Sequence, residues 1–208
     1  MKITDVEAIH CRVPDVAEIA DGTLDVLIVK IHTDSGLTGL GEVTSQSYVC
    51  KAIFEAPRSA QRRHGLATIL KGEDPRDVER LWQKMYYETN RFGRRGAAIH
   101  AMSGADIALW DLKGKIEGKP LFDLFGGAER KTVRAYASLL FGETTAETSR
   151  LGKEAAALGL TAVKFGWGPF GKDPQHDLEQ VRAAREAIGE HRELMVDAGH
   201  AWDWQTAL

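Results

Sequence analysis

Two side chains stand where chemistry gathers in a parallel β/α fold. Lys164 lies at the end of the strand-like run Thr161-Ala162-Val163-Lys164-Phe165, and Asp197 closes the run Leu194-Met195-Val196-Asp197. The C-terminal ends of parallel strands face the loops from which α/β enzymes build their sites. Each residue also has an ordinary use. A strand-end lysine carries its ammonium out to water, and an aspartate ahead of a helix caps it. At equivalent positions of consecutive strands, however, a basic amine and a hard carboxylate could face one substrate, the amine to move a proton and the carboxylate to hold a cation.

A competing motif overlaps the first of these strands. Gly166-Trp167-Gly168-Pro169-Phe170-Gly171 matches G-x-G-x-x-G, and Asp197 supplies an acid at the end of the next strand, as in a nucleotide-binding oxidoreductase that takes NAD. Three features oppose that reading. Pro169 lacks an N–H where backbone should cradle pyrophosphate, Lys164 interrupts what should be an apolar strand, and Lys172-Asp173-Pro174 delays the helix.

The elements that must position these residues fall into two grammars. From Ile3 to Val13, from Leu24 to His32 and from Leu37 to Val43 the chain reads as three strands, the last two joined by the turn Thr33-Asp34-Ser35-Gly36. Helical spacing follows, with Asp74-Pro75 as a helix opening and Val78, Leu81, Trp82 and Met85 on one face. A longer helix from Ala97 to Glu117 is closed by Gly118 and Pro120, and its small residues Ala101, Ala105 and Ala108 imply close approach to a neighbour. After Gly126-Gly127, short apolar strands at Val133 to Ala137, Thr161 to Phe165 and Glu193 to Asp197 alternate with helices at Thr145 to Leu158 and Gln175 to Ile188. That alternation predicts a parallel sheet built of β-α-β units. The expected boundary is residue 127, with α+β before it and β/α after it.

The run Ala98-Ile99-His100-Ala101-Met102-Ser103-Gly104-Ala105-Asp106-Ile107-Ala108-Leu109-Trp110-Asp111-Leu112-Lys113, continued through Gly118-Lys119-Pro120-Leu121-Phe122-Asp123-Leu124-Phe125-Gly126-Gly127, resembles the helix and linker of the mandelate racemase and muconate lactonizing branch of the enolase superfamily. The hairpin, this helix, a Lys-bearing strand and an Asp-bearing strand come in that family's order, so the resemblance spans essentially the whole chain. It implies an α+β N-terminal capping domain over residues 1–127, then the first part of a modified (β/α) TIM barrel over residues 128–208. It implies Lys164 as the first lysine of a lysine-x-lysine element and Asp197 as the first of three acidic ligands for Mg²⁺. Two departures stand out. Gly166 replaces a second base, so Lys164 must work alone on its side, and Gly199-His200 replaces a common Asn-Gln pair. His200 therefore either brings an imidazole near the substrate or is a solvated loop histidine.

The implied chemistry is removal of the proton next to a carboxylate, through an enediolate whose developing charge a divalent ion stabilises. Dehydration of a hydroxylated sugar acid is the first expectation, racemisation or epimerisation the second, and cycloisomerisation the third. In such a family the segments Pro14 to Thr23 and Thr44 to Pro57 would be lids over the substrate, with Asp15, Asp21 and Tyr48 as candidate pocket contacts.

Bulk properties exclude other classes. With 43% hydrophobic and 27% charged residues the chain can bury a core, and its net charge of −3 offers no pull on nucleic acid or anionic lipid. Cys11 and Cys50 lack C-x-x-C spacing and read as reduced thiols. Met1 to Val6 lack the apolar run of a signal peptide, and no stretch approaches the ~20 apolar residues of a membrane span, so the cytoplasm is the expected compartment. The expected partner is a small-molecule carboxylate, in a homo-oligomer when complete. A TIM barrel needs about 250 residues and eight strands, whereas residues 128–208 supply about three strands. The remaining metal ligands and any second base are expected beyond Leu208, and a chain of this length alone is expected to be inactive; a non-catalytic fragment is the alternative reading.

Overall fold

A computed structural model describes residues 1–15, 24–59 and 64–208. They form two compact units, one ending at Glu129 and the other running from Arg130 to Leu208.

The first unit opens with an antiparallel sheet of β1 (Ile3–Cys11), β2 (Val26–Thr33) and β3 (Thr38–Val43), in that order across the sheet. Strict alternation along β2 sends Leu27, Val29 and Ile31 to the buried face, as a strand with one covered face requires. Helices α1 (Ser47–Glu55), α2 (Leu66–Leu70), α3 (Val78–Glu88), α4 (Ala97–Glu117) and α5 (Leu121–Leu124) follow. The core joins the inner face of the sheet to Cys50, Phe54, Leu66, Leu81, Met85, Met102 and Leu109.

Small residues let α4 lie directly on β3. A methyl group on Gly39 would run into the Ala108 carbonyl, and one on Gly41 into the Gly104 carbonyl. The neighbour implied by the small residues of α4 is thus β3. The same helix blunts the sheet's edge: the Asp111 carboxylate accepts the Leu40 N–H at 2.7 Å, and Lys115 donates to the Thr38 carbonyl at 2.8 Å.

Three expectations about this unit are corrected. The segment Thr44 to Pro57 is not a loop throughout, because Ser47–Glu55 forms α1 and buries Cys50 and Phe54. Its buried positions, Ser47, Cys50 and Phe54, lie three and four apart, a short run that reads as helix only once the sheet supplies a surface. The first strand ends at Cys11 rather than Val13. Helix α3 begins at Val78, capped by Asp77, whose side chain accepts the Arg80 N–H; Asp74-Pro75 forms the turn ahead of it. Both cysteines are free; Cys11 is exposed, and burial pushes the Cys50 thiol above its ordinary pKa.

Ahead of α3, the Glu73 carboxylate accepts from Lys84 at 2.6 Å and from Arg80 at 2.8 Å. These bonds, Lys84 first, hold its pKa below the ordinary glutamate value. A folded-state pKa lowered in this way contributes stability that is present above the unfolded value and is lost as pH falls through the folded one. We expect thermal unfolding midpoints to fall more steeply for the parent chain than for Glu73→Gln between about pH 6 and pH 3, since acid removes a term the variant never had. Parallel curves would show that the cluster contributes nothing pH-dependent.

The second unit contains β4 (Ala137–Leu140), α6 (Thr145–Ala157), β5 (Ala162–Gly166), α7 (Pro174–Ile188), β6 (Glu193–Asp197) and α8 (Trp204–Ala207). The strands form a parallel sheet in the order β4-β5-β6. Val163 and Phe165 turn inward to meet Ala155, Ala184 and Ile188 of the helices. The first strand lies at 137–140 rather than at Val133 to Ala137. Register decides this: Ala137 pairs with Val163, while Val133 is left exposed although its branched side chain favours strand. Among the described residues no helix is long and apolar enough to cross a membrane.

Candidate active site

Parallel register places Lys164 beside Ser138 and Met195, and Asp197 beside Gly166. Cross-strand partners point to one side, so Lys164 and Asp197 share the sheet face opposite the one on which Val163 and Phe165 meet the helices. Lys164 Nζ donates to Asp197 Oδ2 at 3.3 Å, with both side chains partly exposed, and sits 6.0 Å from the centre of the Tyr136 ring. The structure thus brings together the two residues singled out in the sequence.

Asp197 does not cap the next helix. Asp203 caps α8, accepting from the Thr206 N–H at 2.8 Å. Asp197 Oδ1 instead accepts the Gly199 N–H at 3.0 Å. That bond is the largest of the influences holding its pKa below the ordinary carboxylate value; hydrogen bonding from the Trp167 side chain and from Lys164 adds to it. The group is therefore an ionised, hard oxygen donor at neutral pH.

His200 is exposed and left-handed, with φ of 64°, and among the described residues it forms no hydrogen bond or ion pair. It is not brought onto Lys164 or Asp197. Of the candidate pocket contacts, Tyr48 is exposed, its ring 4.1 Å from that of His10, which in turn bonds Asp25 at 2.9 Å. Asp15 is exposed, and Asp21, like most of Pro14 to Thr23, lies outside the described residues.

The glycine-rich turn after β5 is committed to its own structure. Trp167 N–H donates to the Asp197 carbonyl, Phe170 N–H to the Trp167 carbonyl, and Gly171 N–H to both oxygens of the buried Asp177. Amides spent in this way cannot cradle a pyrophosphate, which removes the physical basis of the nucleotide motif. Gly166 likewise has no room for a second base, because a Cβ there would lie 2.7 Å from both the Cβ and the carbonyl oxygen of Asp197. Sequence reasoning missed Trp167. The flanking glycines in Gly166-Trp167-Gly168 signal a tight turn, but not which way the indole faces.

For a divalent ion the donor chemistry fits and the donor count does not. Asp197 offers one hard oxygen, whereas Mg²⁺ takes about six ligands in octahedral arrangement. Among the described residues no three His, Cys, Asp or Glu side chains cluster.

An α+β unit, followed in the chain by parallel strands that carry an amine and a carboxylate at their ends, has the element order of an enolase-type protein. Residues 4–126 match the mandelate racemase / muconate lactonizing enzyme N-terminal domain, residues 147–208 match the enolase C-terminal domain-like family, and the chain belongs to the mandelate racemase / muconate lactonizing enzyme family. It is 35% identical over 193 residues to arabinonate dehydratase of Saccharolobus solfataricus, covering 91% of this chain and 49% of that protein. The fold superposes on the 3,6-anhydro-D-galactonate cycloisomerase of Zobellia galactanivorans with a TM-score of 0.82 at 28% identity, covering all of this chain and 54% of the other. A mandelate racemase/muconate lactonizing protein of Paracoccus denitrificans, solved with magnesium, gives 0.75 at 29% identity over 95% of this chain and 51% of its own. The chain spans about half the length of the relatives it matches.

Proposed function

We propose that this chain supplies the capping domain, the first three β/α units, a proton-transferring lysine and one metal ligand of an enzyme that dehydrates a hydroxylated sugar acid. The observation that carries this reading is the placement of Lys164 and Asp197 on one sheet face, with an ionised carboxylate 3.3 Å from an amine. Residues 1–127 are the capping domain in this reading, and residues 128–208 the start of the barrel.

Lys164 takes the hydrogen from the carbon next to the substrate carboxylate. The electron pair left on that carbon expels the hydroxyl of the adjacent carbon, which takes the proton now on Lys164 and departs as water, leaving an enol that tautomerises to a 2-oxo acid. Asp197 would be one of the residues holding Mg²⁺, and the ion, when bound, would supply the positive charge that makes the substrate's α-hydrogen acidic. The Gly199 N–H and Lys164 fix the rotamer of Asp197, so its position does not depend on the substrate. The absence of space at Gly166 favours one base on this side. His200, next to the Gly199 turn, is a candidate substrate contact in this reading. Cycloisomerisation is the second reading, favoured by the likeness to the Zobellia enzyme. The compartment is the cytoplasm and the assembly a homo-oligomer.

The test is to offer the enzyme carrying this chain a panel of aldonates and aldarates in D₂O. We expect a 2-oxo product from at least one of them, and loss of turnover after exhaustive chelation, restored by Mg²⁺. Turnover that survives chelation would remove the metal from the reading. Solvent deuterium entering substrate without water loss would replace dehydration by racemisation.

A further inference from the structure

We propose that Trp167 is a positioning residue for this chemistry: held in a left-handed backbone at the end of β5, its ring braces the Gly199 turn that aims the Asp197 carboxylate at Lys164. The inference rests on the functional reading above and adds a residue to it. Three observations carry it.

First, Trp167 has φ of 58°, a conformation that bulky side chains rarely adopt. Such a residue persists only when its surroundings over-determine it. Here they do. On the far side of the turn Phe170 stacks on Phe141 at 4.6 Å and meets Trp202 at 5.5 Å, and Asp177 holds Gly171. Gly168 passes so close to the Phe141 carbonyl that a Cβ would lie 2.8 Å from it.

Second, the indole lies flat against the turn it would brace. A Cβ on Gly199 would sit 3.2 to 3.4 Å from three atoms of the Trp167 ring, closer than ordinary packing. The ring thereby bounds the path of Gly199, whose N–H is the donor to Asp197 Oδ1.

Third, the same residue grips the aspartate's main chain, with Trp167 N–H donating to the Asp197 carbonyl at 3.2 Å. Backbone and ring together hold both ends of the Asp197-Ala198-Gly199 segment. Phenylalanine can keep the ring's contact with Gly199, although it lacks the indole N–H; alanine keeps neither.

Amide hydrogen exchange in the full chain tests the bracing directly. In Trp167→Ala we expect the Gly199 amide to exchange at least roughly tenfold faster, while the Val163 and Phe165 amides keep their rates; Trp167→Phe should stay within about threefold of the parent. An unchanged Gly199 rate in Trp167→Ala overturns the proposal. Should Trp167→Ala fail to fold, Gly199→Ala decides: its methyl group should shift the ¹⁹F resonance of 5-fluorotryptophan at position 167 and leave that of Trp204 in place, and an unmoved Trp167 signal overturns the proposal. In the enzyme carrying this chain, Trp167→Ala should lower kcat more than about tenfold with KM changed less than about threefold, as for a group acting through its hold on the reacting geometry. A fully active Lys164→Ala would sink the reading of function, yet the exchange rates would still decide whether Trp167 positions Asp197.

Discussion

In Lys164→Ala the exchange of the substrate's α-hydrogen with solvent is expected to fall by about 10²–10⁴, the range a positioned general base contributes. The effect should appear in kcat/KM with little change in folding. Lys164 lies on the sheet face away from the Phe165 core, partly exposed, so its removal opens no cavity among Val163, Phe165 and Ile188. It does remove the bond to Asp197 Oδ2, and that carboxylate keeps its bond from Gly199. Lys164→Arg separates charge from proton transfer. A guanidinium preserves the ion pair but does not release its proton in this range, so it should be nearly as inactive as alanine while unfolding at the parent's midpoint. Normal deuterium incorporation in either variant would show that another group takes the proton.

Much of this arrangement is legible in the sequence because it rests on short-range rules. Alternation in Leu27, Val29 and Ile31, the Gly36 turn, and the strand-helix alternation after residue 127 each follow from local periodicity. The strand ends at Lys164 and Asp197 are equally local, and parallel pairing then makes them neighbours. What is hidden depends on partners distant in the chain. Helix α1 becomes visible once Cys50 and Phe54 have a sheet to pack on, and β4 is placed by register with β5 rather than by the branched Val133. The role of Trp167 is hidden for the same reason: a left-handed aromatic is intelligible only beside Gly199 and Asp197, some thirty residues on.

Gly166 shows how a single position narrows the chemistry. A lysine placed there would have to displace the backbone of Asp197, since its first side-chain carbon would already lie 2.7 Å from the Asp197 carbonyl oxygen. Reintroducing the lysine-x-lysine element would therefore move the carboxylate that the Gly199 turn holds. In the proposed reading, the packing of these two strand ends leaves Lys164 as the base on this side.

The largest effect on stability is expected at a residue with no side chain. Gly41→Ala should cost about 3 kcal/mol or more, above the usual range for an added methylene, because the atoms in the way are backbone. The new methyl would meet the Gly104 carbonyl and lie 2.9 Å from the Ala108 nitrogen, both within a 21-residue helix that cannot yield at one residue without disturbing its hydrogen bonds. Relief requires α4 to lift from β3, which also loosens Val29, Val43, Ala105 and Leu109 in the core and pulls Asp111 from the Leu40 amide. Gly36→Ala is the control. Gly36 has φ of 84° and nothing within 4 Å of an added Cβ, so it carries only the conformational cost of a left-handed alanine, about 1–2 kcal/mol. Urea unfolding followed by circular dichroism should place the Gly41 variant well below the Gly36 variant, or leave it unfolded without denaturant. If the two variants lose similar stability, the close contact between α4 and β3 does not limit the fold.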